Sequence, residues 1–264
     1  MLRNVFAKTL RDQWRGIIGW SLGIAGVGAL YASFYPSMAN PDMAAAMEAF
    51  PEGMLDALGF TDITTPAGYL GGTTFGLLGP VLMIIFASTF GARAIAGEEE
   101  AGRLDVVLAH PVARWSLLLQ RAAALLVAVT LAGLTVFVII TAASGPAQFG
   151  EIGVSNLAAA SLQLVLLGAF FGALALAVGA LTGRRSLALA TVASVGILTY
   201  VANTLGPSVE GLAWTRDVSP FRYYSGGQPL INGWQVGDGL VLVAVAVVLI
   251  AIGVAGFARR DIAT

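Results

Sequence analysis

Glu98, Glu99, Glu100, Arg103, Asp105, His110 and Arg114 crowd into one short stretch of a chain that is only 11% charged and has a single histidine. Carboxylates beside an imidazole are the raw material of a metal site or an acid–base pair. The spacing supports neither, because one histidine next to adjacent carboxylates lacks the H-x-x-x-H type of repeat that aims two ligands from one helix face. The same residues suit a compact charged helix. Glu98 to Glu100 would fill its first turn, where the dipole favours anions, and Pro111 would end it. Glu99 would pair with Arg103 at i,i+4, while Leu104, Val107 and Leu108 share one apolar face. Such a helix is either a solvated loop or a surface that meets a partner.

Other chemistries are short of parts. A phosphate-binding loop needs a lysine among glycines, and the only lysine, Lys8, has no such setting, so the chain is not expected to hydrolyse ATP by itself. The stretch GWSLG (Gly19 to Gly23) matches a nucleophile elbow, but that motif works on a strand-to-helix turn, and here it sits in an apolar helical run. Gly19 and Gly23 read better as a small-xxx-small packing face, like Gly72/Gly76 and Gly168/Gly172. Met43 and Met47, four apart, could hold Cu(I). With Phe50 they form an apolar stripe that suits a membrane surface better. There is no cysteine, and a net charge of −1 without a basic stripe gives nucleic acid nothing to bind.

The elements that must position the charged stretch are set by hydropathy. A mean hydropathy of +0.83 with 57% hydrophobic residues makes lipid the expected solvent. Six segments can span it: about 17–35, 71–92, 117–143, 157–181, 187–206 and 240–257. Twelve of the 14 Lys and Arg residues fall on one side of these spans, which places both termini and the charged stretch in the cytoplasm. Residues 1–16 carry Leu2, Val5, Phe6, Leu10 and Trp14 at helical spacing with cations on the other faces, the pattern of an interfacial amphipathic helix or of a plain stop-transfer flank. Tyr223, Tyr224 and Trp234, before the last span, suit an aromatic belt at the headgroups.

The span centres hold no ionisable residue, and Arg121 is close enough to the cytoplasmic end of span three to snorkel. Neutral polar groups remain: Gln163, Tyr200 and Asn203 could line a pathway for an apolar or amphipathic cargo, or bond between helices.

The stretch ARAIAGEEEAGRLDVVLAHPVAR resembles the segment after the second span in permease subunits of type-2 ABC exporters, where the pattern runs A-G-E-E-E-x-G-T-L-D-L-L-L-A-x-P-V-S-R. The resemblance continues through TGRR after span four, SPFRYYSGGQPLING before span six and the closing FARRDI, and so covers nearly the whole chain. Arg103 stands where that family usually has Thr or Ser, and Ala113 where it often has Ser.

The resemblance implies an all-α membrane protein: an elbow helix over 1–16, a six-span transmembrane domain over 17–264 and a cytoplasmic coupling helix between spans two and three. It implies a prokaryotic plasma-membrane location and two permeases, alike or different, paired with two nucleotide-binding ATPase subunits. ATP and Mg would be held by those partners, and this chain would carry no cofactor. Glu98, Glu99, Glu100, Arg103 and Asp105 would orient the docking, and Leu104 and Leu108 would supply its apolar contact. A stand-alone carrier or channel, and an intramembrane enzyme, are the alternatives.

Overall fold

The computed structural model describes residues 4–39, 65–104, 113–209 and 211–260, and these are helical with no strand among them. The Met43, Met47 and Phe50 stripe, and Asp105, Val107, Leu108, His110 and Pro111, lie outside the described residues.

Six long helices account for the six expected spans: α1 (Val5–Met38), α2 (Pro66–Glu100), α3 (Arg114–Ala143), α4 (Val154–Thr182), α5 (Arg185–Ser208, whose last turn is 3-10) and, after two short helices, α8 (Val236–Arg259). The short ones are α6 (Pro220–Ser225) and α7 (Pro229–Asn232). All six long helices are apolar enough to cross a membrane.

The two longest exceed the hydrocarbon thickness by the most. At 34 and 35 residues, α1 and α2 are each about 50 Å long against a core of about 30 Å. The first of these absorbs the expected surface helix: from Val5 onward it is the opening turns of α1. Asn4 caps it by accepting from Phe6 N–H at 3.0 Å, and Gln120 Oε1 on α3 accepts from the same group at 3.2 Å. Phe6 and Leu10 pack on the chain's own core, and Trp14 is exposed.

Helix α4 is the centre of the bundle. Its most apolar window is 72% buried, against 11% for α5, and it packs against α2, α3, α5 and α8. Small residues make this central position possible. A Cβ at Gly168 would stand 2.7 Å from Met83 Cγ, and one at Gly172 would stand 2.9 Å from Leu125 Cδ1. Gly91 on α2 lies so close to Gly172 that its Cβ would fall on that residue's carbonyl oxygen. The pair Gly168/Gly172 is therefore a packing face, as its spacing suggests. Gly19 and Gly23 differ, since a Cβ at either meets nothing within 4 Å.

Helix α2 is not uniform. Thr74–Leu78 and Arg93–Gly97 are π-helical segments set within it, each adding a residue to a turn and rotating the helix beyond it. Arg121 also departs from expectation: it is 5% exposed, buried within the bundle rather than snorkelling, with Glu98 and Arg103 as its charged neighbours.

Candidate functional site

Glu98–Glu100 form the last turn of α2, not the first turn of a separate helix. No stop signal precedes them, and the π segment carries the helical hydrogen bonding through Gly97. The helix therefore runs on past its apolar stretch. Gly102, at φ +64°, lets its N–H donate to Glu99 O and Arg103 N–H donate to Glu98 O, both at 2.9 Å. This is a Schellman ending, and the glycine after EEEA is its sequence signal.

Three carboxylates therefore sit at the negative end of a helix dipole, where they are disfavoured unless cations surround them. Each finds a different partner. Arg103 donates to both oxygens of Glu98, at 2.9 and 3.3 Å, so the expected Glu99–Arg103 pair is replaced by one at i,i+5. That bond raises the pKa of the Arg103 guanidinium, which stays charged at any working pH. Glu99 is paired with Arg260, just beyond α8. Glu100 Oε1 accepts from Arg185 N–H at 2.8 Å, and so caps the N-terminus of α5, whose own preceding residue Arg184 provides no side-chain cap.

Arg260 is the hub. Besides Glu99, its Nη1 donates to Ala180 O at the C-terminal end of α4 at 2.9 Å, and its carbonyl accepts from Arg114 Nη1 at 2.7 Å. A guanidinium there satisfies a carbonyl left over by the helix and favours its dipole. Gly183 closes α4 with φ +68°, and a Cβ on it would stand 2.7 Å from Glu99 Oε1. Beneath the charges, Leu104 (1% exposed) packs with Ile95, Leu117, Leu118 and Phe257. Three stretches far apart in sequence, GEEEAGR, TGRR and FARR, thus form one clasp across the ends of α2, α4, α5 and α8.

This placement changes what each expected docking residue presents. Leu104 anchors the turn inside the chain's own apolar cluster and has no surface left for a partner. The Glu99 and Arg260 side chains are mostly covered, at 17% and 18% exposed, while Arg103 projects at 63%. Arg260, Arg185 and Gly183 are members of the site that sequence reasoning misses, although TGRR and FARRDI contain them. An ion pair between positions 161 apart leaves no periodicity to find.

Gly183→Ala is expected to lower stability by about 2 kcal/mol, from the left-handed backbone and from displacement of the Glu99–Arg260 pair. Thermal unfolding of the detergent-solubilised chain, compared with Gly150→Ala where nothing crowds the position, measures it.

The candidate pathway residues are not joined to one another by any hydrogen bond. Gln163 is buried on α4 and donates to Gln235 O at 3.2 Å, a brace to the start of α8. Tyr200 packs edge-on against Phe221 with ring centroids 5.3 Å apart. Asn203 has a buried amide oxygen with no partner. Tyr224 is not at a headgroup belt: it is 4% exposed, and its hydroxyl donates to Phe75 O at 2.6 Å.

Residues 2–258 match the family model described as the multidrug efflux system permease Rv1217c, C-terminal domain. No curated protein matches the chain.

Proposed function

The chain belongs to this family of efflux-system permease domains and is a multi-pass membrane protein, and we propose on that premise that it is one transmembrane half of an ATP-driven exporter. Two separate ATPase subunits, holding ATP and Mg, dock from the cytoplasm on the turn after α2. A second permease completes the pathway. The low burial of α5 supports a second transmembrane unit.

The observation that carries the reading is the clasp. Arg103 and the buried Leu104 end the described part of this turn, and the segment with Asp105 and Leu108 follows them in the sequence. A push on that segment acts on α2 through its last turn. Glu99 and Arg260 pass it to α8, Arg260 to α4, and Glu100 to α5. Closure of the ATPases on ATP moves these four helix ends together and switches access at the permease interface. Tyr200 and Asn203 on α5 border the pathway, with Gln163 bracing it from α4. A multidrug efflux family suggests amphipathic, drug-like cargo, for which neutral polar walls are suited.

Proteoliposomes carrying the chain, with and without the ATPase subunit, test this with a fluorescent amphipathic dye. Efflux is expected only with the ATPase and ATP. Arg103→Glu is expected to weaken co-purification of the ATPase about tenfold while leaving the unfolding temperature of the chain nearly unchanged, because solvent screens the exposed Glu98–Arg103 pair. Dye transport by the chain alone would overturn the proposal in favour of a stand-alone carrier.

A further inference from the structure

Helices α1 and α3 run parallel, with Phe6 against Gln120 near their starts and Gly28 against Ile140 farther along. Their first turns leave a groove of about 540 Å³ between them, walled by Asn4 and Phe6 on one side and by Trp115, Ser116, Leu119, Gln120 and Ala123 on the other. That volume is in the ordinary range of small-molecule sites, about 300–1,000 Å³. On α3, Ser116, Gln120 and Ala123 follow at i, i+4 and i+7, so the polar residues lie toward the helix start and the apolar floor about 10 Å deeper. The same face continues along the span as Leu126, Thr130 and Leu134, all exposed.

The walls of this groove are rich in unused hydrogen-bond donors, and no carboxylate lines it among the described residues. Gln120 is fixed at both ends of its amide: Oε1 accepts from Phe6 N–H at 3.2 Å, and Nε2 donates to Ser116 Oγ at 3.1 Å. Ser116 therefore keeps its own hydroxyl hydrogen, which has no acceptor among the described residues. Asn4 uses its Oδ1 on the same Phe6 N–H, which leaves its Nδ2 to donate elsewhere. Ala113 gives α3 no side-chain cap, so the first N–H groups of that helix gain no partner from it. Exposed Lys8, Arg11 and Arg15, against Asp12 alone, add positive charge on the adjoining turns of α1, and such cations at a membrane surface favour anionic lipid.

We propose that this groove binds one anionic phospholipid from the leaflet at the clasp end of the bundle. The phosphate takes the donors of Asn4, Ser116 and the first turn of α3, and one acyl chain follows Phe6, Leu119 and Ala123 onto the exposed face of α3. The level at which the groove opens selects this occupant. The apolar stretch of α3 begins at Leu117, and Trp115, 56% exposed, has the place of an interfacial aromatic. Polar donors there meet headgroups, and the apolar walls below them meet acyl chains. A phosphate diester carries a negative charge and acceptor oxygens without a donor, which complements these walls. The bound lipid ties α1 to α3 where Gln120 already joins them. The site depends on insertion in a membrane and not on the function proposed above.

Native mass spectrometry of the delipidated chain in detergent, titrated with dioleoyl phosphatidylglycerol or dioleoyl phosphatidylcholine, tests the site. One phosphatidylglycerol per chain is expected to be retained, about tenfold more tightly than phosphatidylcholine, whose own cation masks the phosphate. Ser116→Asp and Ala123→Trp are each expected to weaken that binding about tenfold, the first by repelling the phosphate and the second by filling the floor. Both variants should fold, since a carboxylate in the first turn suits the dipole of α3 and Ala123 is exposed; an unchanged unfolding temperature checks this. Val248→Trp, at an exposed position of α8, is the matched control and should bind as the unaltered chain does. The inference is overturned by equal affinity for the two lipids, or by undiminished phosphatidylglycerol binding in both groove variants. Binding of the deacylated headgroup, glycerophosphoglycerol, as tightly as the whole lipid would also overturn it, leaving a plain phosphate site. So would a dimer that Ala123→Trp splits while lipid binding persists, since the groove would then belong to a second copy.

Discussion

Arg260→Glu is expected to destabilise the chain by about 3 kcal/mol and to abolish ATP-dependent efflux, and adding Glu99→Arg is expected to recover about half of the stability. The single change leaves Glu99 facing a second carboxylate with little solvent to relieve it, since both native side chains are less than one-fifth exposed. Removing one member of a covered pair costs about 3–5 kcal/mol when burial is complete, and the residual exposure lowers this. Two further losses add to it: Ala180 O at the end of α4 loses its donor, and a negative charge is placed where the helix dipole disfavours one. Reversing the pair restores the attraction between α2 and α8. It cannot restore the bond to Ala180 O, because glutamate has no proton to donate, so rescue is partial. Unfolding temperature and ATP-driven dye efflux, measured on the single and double variants, decide the matter. Full stability in Arg260→Glu would mean that the clasp does not hold the four helix ends.

Gly91→Leu is expected to prevent the chain from folding at all. Gly91 faces the backbone of Gly172 at the crossing of α2 and α4, and α4 is the helix on which the bundle is built. A leucine side chain there must push two helices apart over their whole contact. Overpacking costs about 1–3 kcal/mol where side chains can yield, and more here because the obstruction is backbone. Loss of the monodisperse detergent-solubilised species, or its aggregation at low temperature, is the readout. Gly19→Leu is the matched control: with open space around it, the isolated chain should unfold at an unchanged temperature.

Within lipid these close approaches matter more than they would in water. Apolar surface gains nothing from facing protein instead of acyl chains, so association depends on dispersion contacts and on hydrogen bonds between helices. The small residues along α4 supply the first. The second is concentrated at the two ends of the bundle, in the clasp and in the contacts of α6 and α7. Asn156 Nδ2, for example, donates to Leu230 O and Ile231 O, each at 3.0 Å.

Hydropathy and charge bias alone determined the helical class, the six long apolar helices to within a few residues except where α1 and α2 run on past their apolar stretches, and the crowding of charge at one end. These follow from local rules, since a run of apolar residues must satisfy its backbone as a helix wherever its neighbours are. The tertiary structure alone decided which partner each charge takes and which aromatic is buried. Glu98, Glu99 and Glu100 are adjacent and chemically alike, yet they serve a loop arginine, an arginine at the far end of the chain and a backbone N–H, because each lies at a different angle around α2. Tyr224 has the composition of a belt residue and becomes a buried hydrogen-bond donor to Phe75 O, 149 positions away, in the π-helical part of α2. Those assignments depend on the rotation of one helix against another, a quantity that the order of side chains along the sequence does not encode.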